Sequence, residues 1–147
     1  MANRRFKTKQ QAMQMAIHCW TCQHCGTQHR KTKPSMCSNC GVGAFFHFDS
    51  VGEANKFAEL RMLQDHGQIS DLRLQVPFPV YPGSPGMLST SKLGKPVFKY
   101  IADFVYRDSS GRQVVADYKG STGHVTDLFT LKKRIIETMY QVEIRLV

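Results

Sequence analysis

The residues best suited to chemistry lie in two neighbouring runs of the C-terminal half, each with an aspartate among apolar side chains. The run VVADYKG holds Asp117 and Lys119, which share one face of a strand because alternate strand residues point the same way. The run YIADFVY holds Asp103, whose carboxylate is costly to bury without a partner. Between the runs, residues 109–111 (Ser-Ser-Gly) predict a hairpin loop whose register sets Asp103 opposite Asp117.

Two carboxylates in this arrangement predict a divalent-cation site. Opposed strand residues have Cβ atoms about 4.5–5.5 Å apart. Asp103 and Asp117 therefore repel each other unless a cation lies between them or one of them is protonated. Mg²⁺ or Mn²⁺, bound by carboxylates and a substrate phosphate, would relieve that repulsion. Lys119 would then orient the attacking water in phosphodiester hydrolysis and help neutralise the developing charge. The alternative for Asp103 is a structural hydrogen bond.

Glu53 is a third candidate carboxylate, and the residues around it leave two interpretations open. Ser50-x-x-Glu53 has the pattern of a capping box, in which the glutamate reaches back to the Ser50 backbone. Phe57 and Leu60 follow at helical spacing, so the helix face that packs on the sheet also carries Glu53 inward. We expect Glu53 to serve the metal site, with capping as its alternative.

Four cysteines in two CxxCG motifs predict a structural zinc site. The four are Cys22, Cys25, Cys37 and Cys40. Four thiolates fill a tetrahedral zinc and leave no position for water, and a glycine after each pair suits the tight turn. The fifth cysteine, Cys19, is expected to be a spare thiol or buried filler, because no glycine follows Cys22. Because four cysteines already complete the site, the nearby histidines are expected to be surface residues rather than ligands: His18, His24 and His29.

The charge of the chain favours a polyanionic partner. Its formal net charge is +9 and its pI is near 9.5, which favours DNA. The loop between the cysteine pairs carries Arg30, Lys31 and Lys33. Either these residues bind nucleic acid, or the ribbon only stabilises the fold. No apolar run approaches the roughly 18–20 residues of a membrane span, and the basic N-terminus lacks the apolar stretch of a signal peptide. We therefore expect no membrane association and a cytoplasmic location.

The elements that position these residues follow from the patterning of the chain. Residues 1–17 predict a basic N-terminal arm, 18–44 a zinc ribbon and 45–147 one mixed domain. Prolines 77, 79 and 82 force the first strand of that domain to a sheet edge or an exit. In the mixed domain, a first helix is predicted to follow Asp49-Ser50 and to run to about His66, and a second, capped by Thr126 and Asp127, to run to about Tyr140. The predicted strands cover 69–80, 97–107, 112–119 and 141–147, with a loop over 82–96.

Taken together, these segments resemble the PD-(D/E)XK nuclease superfamily and look most like its small phage-encoded members. The resemblance covers residues 48–147. The segments that carry it are FDSxxEA from Phe48, GxIxDL from Gly67, Leu74-Gln75, Ala102-Asp103-Phe104, DYKG from Asp117 and Leu131-Lys132. Ala102 stands where the family motif has a proline, and the cysteine ribbon is an addition to the core pattern.

The resemblance implies a fold and a set of roles. The implied fold is α/β (α+β), an αβββαβ restriction-endonuclease-like core with a mixed central sheet flanked by helices, preceded by the small zinc ribbon. The implied roles are Mg²⁺ or Mn²⁺ binding by Asp103, Asp117 and Glu53, completion of the motif by Lys119, support of the site by Gln75 and a phosphate contact by Lys132. The alternative for Lys132 is a solvated helix face.

We therefore expect a Mg²⁺- or Mn²⁺-dependent DNA endonuclease of phage type, working in the host cytoplasm. By analogy it would act on branched or otherwise structured DNA in recombination, replication or packaging. One alternative is a non-catalytic nucleic-acid-binding zinc protein such as a regulator, and another is a nuclease for RNA or single strands. Residues 82–96 or the ribbon could supply the interface of a homodimer.

Overall fold

The structure is a computed structural model that describes residues 17–81, 94–120 and 125–147. The predicted N-terminal arm, apart from residue 17, and the predicted loop over 82–96, apart from its last three residues, lie outside the described residues. The elements are β1 (Cys19–Cys22), β2 (Gln28–Arg30), β3 (Phe45–Phe48), α1 (Val51–Asp65), β4 (Ser70–Val80), β5 (Phe98–Arg107), β6 (Gln113–Asp117), α2 (Asp127–Tyr140) and β7 (Ile144–Leu146).

The described residues form an α+β fold with two helices and two sheets, which confirms the predicted fold class in outline. The chain divides into two compact units, Met1–Ala58 and Glu59–Val147, and the division falls within α1. Neither helix in the described part of the chain is long and apolar enough to cross a membrane.

The first unit is built on a three-stranded antiparallel sheet in the order β2-β1-β3. β3 pairs with β1 from Cys19↔Phe48 to Cys22↔Phe45, whereas the predicted ribbon ends at residue 44, just before β3. The rings of Phe46 and Phe48 each lie 5.2 Å from the ring of Phe57, so β3 packs against the first turns of α1. The aromatic residues of β3 are typical of any buried strand, so the sequence of β3 alone does not indicate that it pairs with β1.

The second unit is built on a four-stranded mixed sheet in the order β4-β5-β6-β7. β4, β5 and β6 are antiparallel neighbours, and β7 runs parallel to β6 after the crossover through α2. β4 is an edge strand, as its prolines predicted, so Pro77 and Pro79 interrupt no ladder inside the sheet. The order α1-β4-β5-β6-α2-β7 is the predicted one.

The helix ends follow local signals that the sequence displays. After α1, Gly67 adopts φ +70° and its N–H donates to the Gln64 carbonyl at 2.9 Å, which ends the helix. Before α2, the Thr126 hydroxyl accepts the N–H of Phe129 at 3.1 Å. α2 buries Ile136 in the core of the second unit, with Val105, Val115 and Ile144 among its neighbours.

Candidate functional site

The β5–β6 hairpin brings two aspartates to neighbouring positions. The Asp108 N–H donates to the Arg112 carbonyl at 3.0 Å and closes the three-residue loop. From there the pairing runs through Arg107↔Gln113 to Phe104↔Ala116, which confirms the register predicted from the loop. The next position along this register is Asp103 opposite Asp117.

Asp103 is held between a backbone donor and a side-chain amide. Its Oδ2 accepts the N–H of Tyr118 at 2.8 Å, and its Oδ1 lies 3.4 Å from Nε2 of Gln75. Burial raises the pKa of Asp103 to about 6, and the charge of Asp117 acts in the same direction, whereas the Tyr118 hydrogen bond and the Lys119 charge oppose the rise. Asp103 therefore makes a structural hydrogen bond, the alternative predicted for it, and it also faces the carboxylate of Asp117.

Asp117 and Lys119 form an ion pair at the end of β6. The Asp117 side chain is 6% exposed and that of Lys119 is 27% exposed. The Lys119 Nζ also lies 4.0 Å from the centroid of the Phe129 ring, a cation–π distance. The structure therefore brings Asp103, Asp117 and Lys119 together, with the ammonium group held between an aromatic face and a carboxylate.

Tyr100 belongs to this cluster, although the sequence analysis did not single it out. The residue is buried on β5, and its ring lies 6.3 Å from that of Phe129. Burial raises the pKa of the Tyr100 hydroxyl, and the neighbouring negative charge of Asp117 raises it further. The hydroxyl therefore stays protonated beside the carboxylates. The sequence gives one signal for this role of Tyr100. Among the alternate residues Tyr100, Ala102 and Phe104, which share one face of β5, only Tyr100 carries a polar group.

Gln75 has a strained backbone in the middle of β4. Its φ is +51°, in the left-handed region that side chains other than glycine seldom adopt. The β4–β5 ladder pairs Leu74↔Phe104 and Val76↔Ala102 and passes over Gln75. Strain of this kind tends to accumulate at functional sites, and here it accompanies the contact of the Gln75 amide with Asp103.

The substitution Asp103→Asn should stabilise the protein in the absence of Mg²⁺ and Mn²⁺. The folded-state pKa of Asp103 is raised to about 6, so the folded protein favours the protonated carboxyl. The stability that this group contributes is complete below the unfolded pKa of about 3.9 and is lost as the pH rises through 6. The asparagine side chain would keep an acceptor for the Tyr118 N–H. We expect the free energy of unfolding at pH 7 to rise by about 1–2 kcal/mol, reduced from the full shift by partial solvent exposure, with no gain at pH 4. The free energy of unfolding is measured by urea titration, with hydrogen exchange of the β5 and β6 amides as the probe.

Asp108→Asn in the same hairpin is the matched control, with the opposite sign. Hydrogen bonds from the Ser110 hydroxyl, with those from the backbone of Arg112 and Ser110, lower the pKa of Asp108. Its contribution to stability is therefore present above the unfolded pKa and lost as the pH falls through the folded one. This variant should be less stable than wild type at pH 7. Equal losses of stability in both variants would contradict the contrast between the two aspartates.

Two further residues assigned by the resemblance occupy defined positions, and their roles stay predictions. Glu53 lies in the first turn of α1 within the first unit and is 7% exposed. Its N–H donates to Ser50 Oγ at 3.1 Å, the serine half of the predicted capping box. Lys132 lies on α2 with its Nζ 5.6 Å from the centroid of the Phe98 ring.

The first unit carries a four-cysteine cluster that is consistent with a structural zinc site. The Sγ atoms of the predicted four all lie within 4.8 Å of one another. Cys22 and Cys40 are 3.5 Å apart and Cys25 and Cys37 are 3.6 Å apart, near the roughly 3.8 Å that tetrahedral zinc with bonds of about 2.3 Å requires. Cys19 is buried outside the cluster, as expected for a filler, and burial raises the pKa of its thiol.

The glycines after each pair are required by backbone conformation. Gly26 and Gly41 have φ of +76° and +72°, and their N–H groups donate to the carbonyls of Cys22 and Cys37 at 3.0 and 2.9 Å. A Cβ would meet no atom at either position, so the tight turn rather than crowding calls for glycine.

One histidine of the ribbon supports the cluster. His29 is half-buried and its Nε2 lies 3.5 Å from Cys37 Sγ, so it contacts a cysteine of the cluster without being one of the four cluster residues. The hydrogen bond from His29 is the main cause that lowers the pKa of Cys37 to about 7. Zinc binding requires the thiol to lose its proton.

The basic residues of the ribbon loop lie at its surface. Arg30, Lys31 and Lys33 are exposed, and the Lys33 Nζ lies 5.6 Å from the centroid of the Trp20 ring. Their contact with nucleic acid stays a prediction.

Fold and site together define an α+β protein with a four-cysteine cluster in its first unit and a carboxylate–lysine cluster in its second. The chain belongs to the family described as "Protein of unknown function (DUF1064)", which matches residues 43–147. A comparison with curated proteins gave no match, and a comparison with solved structures gave none either.

Proposed function

We propose that this protein is a divalent-metal-dependent endonuclease that hydrolyses phosphodiester bonds in DNA. The observation that carries the proposal is the placement of Asp103, Asp117 and Lys119 side by side at the end of the β5–β6 hairpin. Neighbouring carboxylates attract a divalent cation, and an adjacent ammonium group stabilises the negative charge that develops on a phosphate. Metal-assisted phosphodiester hydrolysis uses these groups.

Mg²⁺ or Mn²⁺ fits the donor set. Asp103 and Asp117 offer the hard carboxylate oxygens that these ions prefer. Burial, with a smaller contribution from the charge of Asp117, raises the pKa of Asp103, so a bound cation would favour its ionised form. When bound, the metal would polarise the phosphate and acidify water.

The chain's own residues prepare the site. The Tyr118 N–H fixes one oxygen of Asp103, and the protonated Tyr100 hydroxyl lies beside Asp117. Lys119, held over the Phe129 ring, would orient the attacking water and neutralise charge on the phosphate. In this proposal Lys119 acts as a cation and not as a general base.

The resemblance to PD-(D/E)XK nucleases extends the proposal to further residues and to the substrate. It assigns metal binding to Glu53, support of the site to Gln75 and a phosphate contact to Lys132. It also favours a phage-encoded enzyme for branched or otherwise structured DNA. The net charge of +9 agrees with a DNA partner.

A second candidate function rests on the ribbon. Arg30, Lys31 and Lys33 are exposed, and the Lys33 Nζ lies 5.6 Å from the centroid of the Trp20 ring. Basic side chains beside an aromatic ring suit single-stranded nucleic acid. A non-catalytic nucleic-acid-binding zinc protein would need no more than this. The carboxylate–lysine cluster favours the enzyme, because a binding protein gains nothing from two neighbouring aspartates that repel phosphate.

A substrate panel tests the proposal. The full-length, zinc-loaded protein is incubated with labelled duplex, flap, four-way junction and single-stranded DNA and with RNA, with or without Mg²⁺ or Mn²⁺. We expect cleavage of at least one DNA only when the metal is present, with a junction or flap cut fastest. Binding without cleavage of any substrate would establish the second candidate, and cleavage of RNA alone would establish a ribonuclease.

A further inference from the structure

A second group of metal-ligand side chains lies on one face of the small sheet, separate from the cysteine cluster. The β1–β3 register pairs Trp20 with His47 and Cys19 with Phe48, so its continuation sets His18 opposite Asp49. Alternate residues share a face, and His18, His47 and Asp49 therefore lie together. Each offers a ligand atom, and all three atoms lie within 4.8 Å of one another.

The distances within this group suit a small transition-metal ion. His18 Nδ1 lies 3.0 Å from His47 Nε2 and 3.6 Å from Asp49 Oδ1. Zinc bonds of about 2.0–2.1 Å in a tetrahedron place ligand atoms about 3.3 Å apart. The two observed distances fall on either side of that value, so an ion could enter with small movements of exposed side chains.

The three ligand atoms of the group can each offer a lone pair to a cation. A neutral His18 carries at most one hydrogen on Nδ1, yet that nitrogen faces both an imidazole nitrogen and a carboxylate oxygen. Which ring nitrogen carries the hydrogen depends on the tautomer, so at most one of these two neighbours can accept the Nδ1 hydrogen of a neutral His18. A metal ion would accept all three lone pairs together.

Ring packing restrains the two exposed imidazoles. The rings of His18 and His47 stack with centroids 5.1 Å apart, and the Trp20 ring lies 4.3 Å from that of His47. Ligands held in place before binding lose less conformational freedom when the ion arrives.

We propose that His18, His47 and Asp49 form a second metal site, for a divalent transition ion of the zinc and nickel class. Two imidazoles and one carboxylate match the ligands these ions select. Three protein ligands on an exposed face leave at least one coordination position to water or to an outside ligand. The cysteine cluster adjoins the other end of β1, at Cys22, so the two sites use different residues. The proposal does not rest on nuclease activity.

Nickel titration of the full-length protein tests the site. Protein without a histidine tag is washed with a weak chelator, which leaves zinc on the four thiolates, and is titrated with Ni²⁺ in a calorimeter. Wild type should bind one Ni²⁺ equivalent that His18→Ala and His47→Ala each weaken at least about 100-fold. The exposed His66, whose Nδ1 donates to the Met62 carbonyl of its own helix, gives the control: His66→Ala should leave the equivalent unchanged.

Trp20 supplies a second measurement. It is the sole tryptophan of the chain and its ring packs on His47, so a paramagnetic ion bound there should quench its fluorescence. The quenching should be lost in His47→Ala. If His47→Ala does not fold, His18→Ala gives the same test, because His18 lies before β1. Absence of any Ni²⁺ uptake by wild type would overturn the proposal. So would an equivalent that keeps its affinity in both histidine variants.

Discussion

Asp117→Asn should reduce metal-dependent DNA cleavage by about 10²–10³-fold while DNA binding persists. Asp117 is buried, is paired with Lys119 and faces Asp103, so its carboxylate is the central negative group of the cluster. The amide keeps the shape but removes the charge that would hold Mg²⁺ or Mn²⁺. Cleavage rates at saturating enzyme, measured alongside binding by fluorescence anisotropy, separate the two effects.

Lys119→Met is the companion variant. Methionine keeps an apolar side chain against the Phe129 ring but lacks the ammonium group, so a loss of about 10²-fold in rate would report charge rather than packing. Glu143→Gln provides the control, because the Glu143 side chain is 73% exposed and pairs only with nearby Arg145 among the ion pairs of the described residues. If Asp117→Asn and Lys119→Met both cut DNA at the wild-type rate, the cluster is structural and the proposed active site is wrong.

The parts of the site that the sequence predicted depend on local signals. The loop Ser109-Ser110-Gly111 fixes the strand register of its own hairpin, so the position of Asp103 relative to Asp117 follows from counting. In the same way, CxxCG sets the two thiolates and the left-handed glycine of one turn at fixed spacing. Short-range geometry of this kind is carried by adjacent residues and needs no knowledge of the fold.

The parts that the sequence did not predict depend on contacts between distant segments. His18 and His47 lie in contact because β3 pairs with β1, and the sequence of neither strand predicts that pairing. The Tyr100 ring lies near that of Phe129 on α2, a contact between distant segments of the chain. The left-handed backbone of Gln75 opposes ordinary strand preference, since only its surroundings can hold it there.

The second large effect concerns the cysteine cluster: Cys37→Ser should lose the tightly held zinc and unfold the first unit. Zinc contributes about 10–16 kcal/mol in zinc-finger peptides, whereas strands as short as β1, β2 and β3 bury little apolar surface of their own. Cys37 is 3% exposed, so serine would place a weak ligand in a closed site. Metal analysis should fall from one tightly held equivalent to none, and Trp20 emission should shift to the red as β1 is exposed to water.

Cys19→Ala separates zinc binding from burial, because Cys19 is fully buried but lies outside the cluster. This variant should keep its zinc and its native Trp20 emission. In Cys37→Ser, the β4–β7 sheet should survive, since its core is formed by residues of the second unit such as Phe78, Tyr100 and Ile136. Hydrogen exchange should then show protected β5 and β6 amides beside an unprotected β1. A wild-type protein that contains no zinc, or that carries a Cys22–Cys37 disulfide, would show that these thiols do not hold a metal.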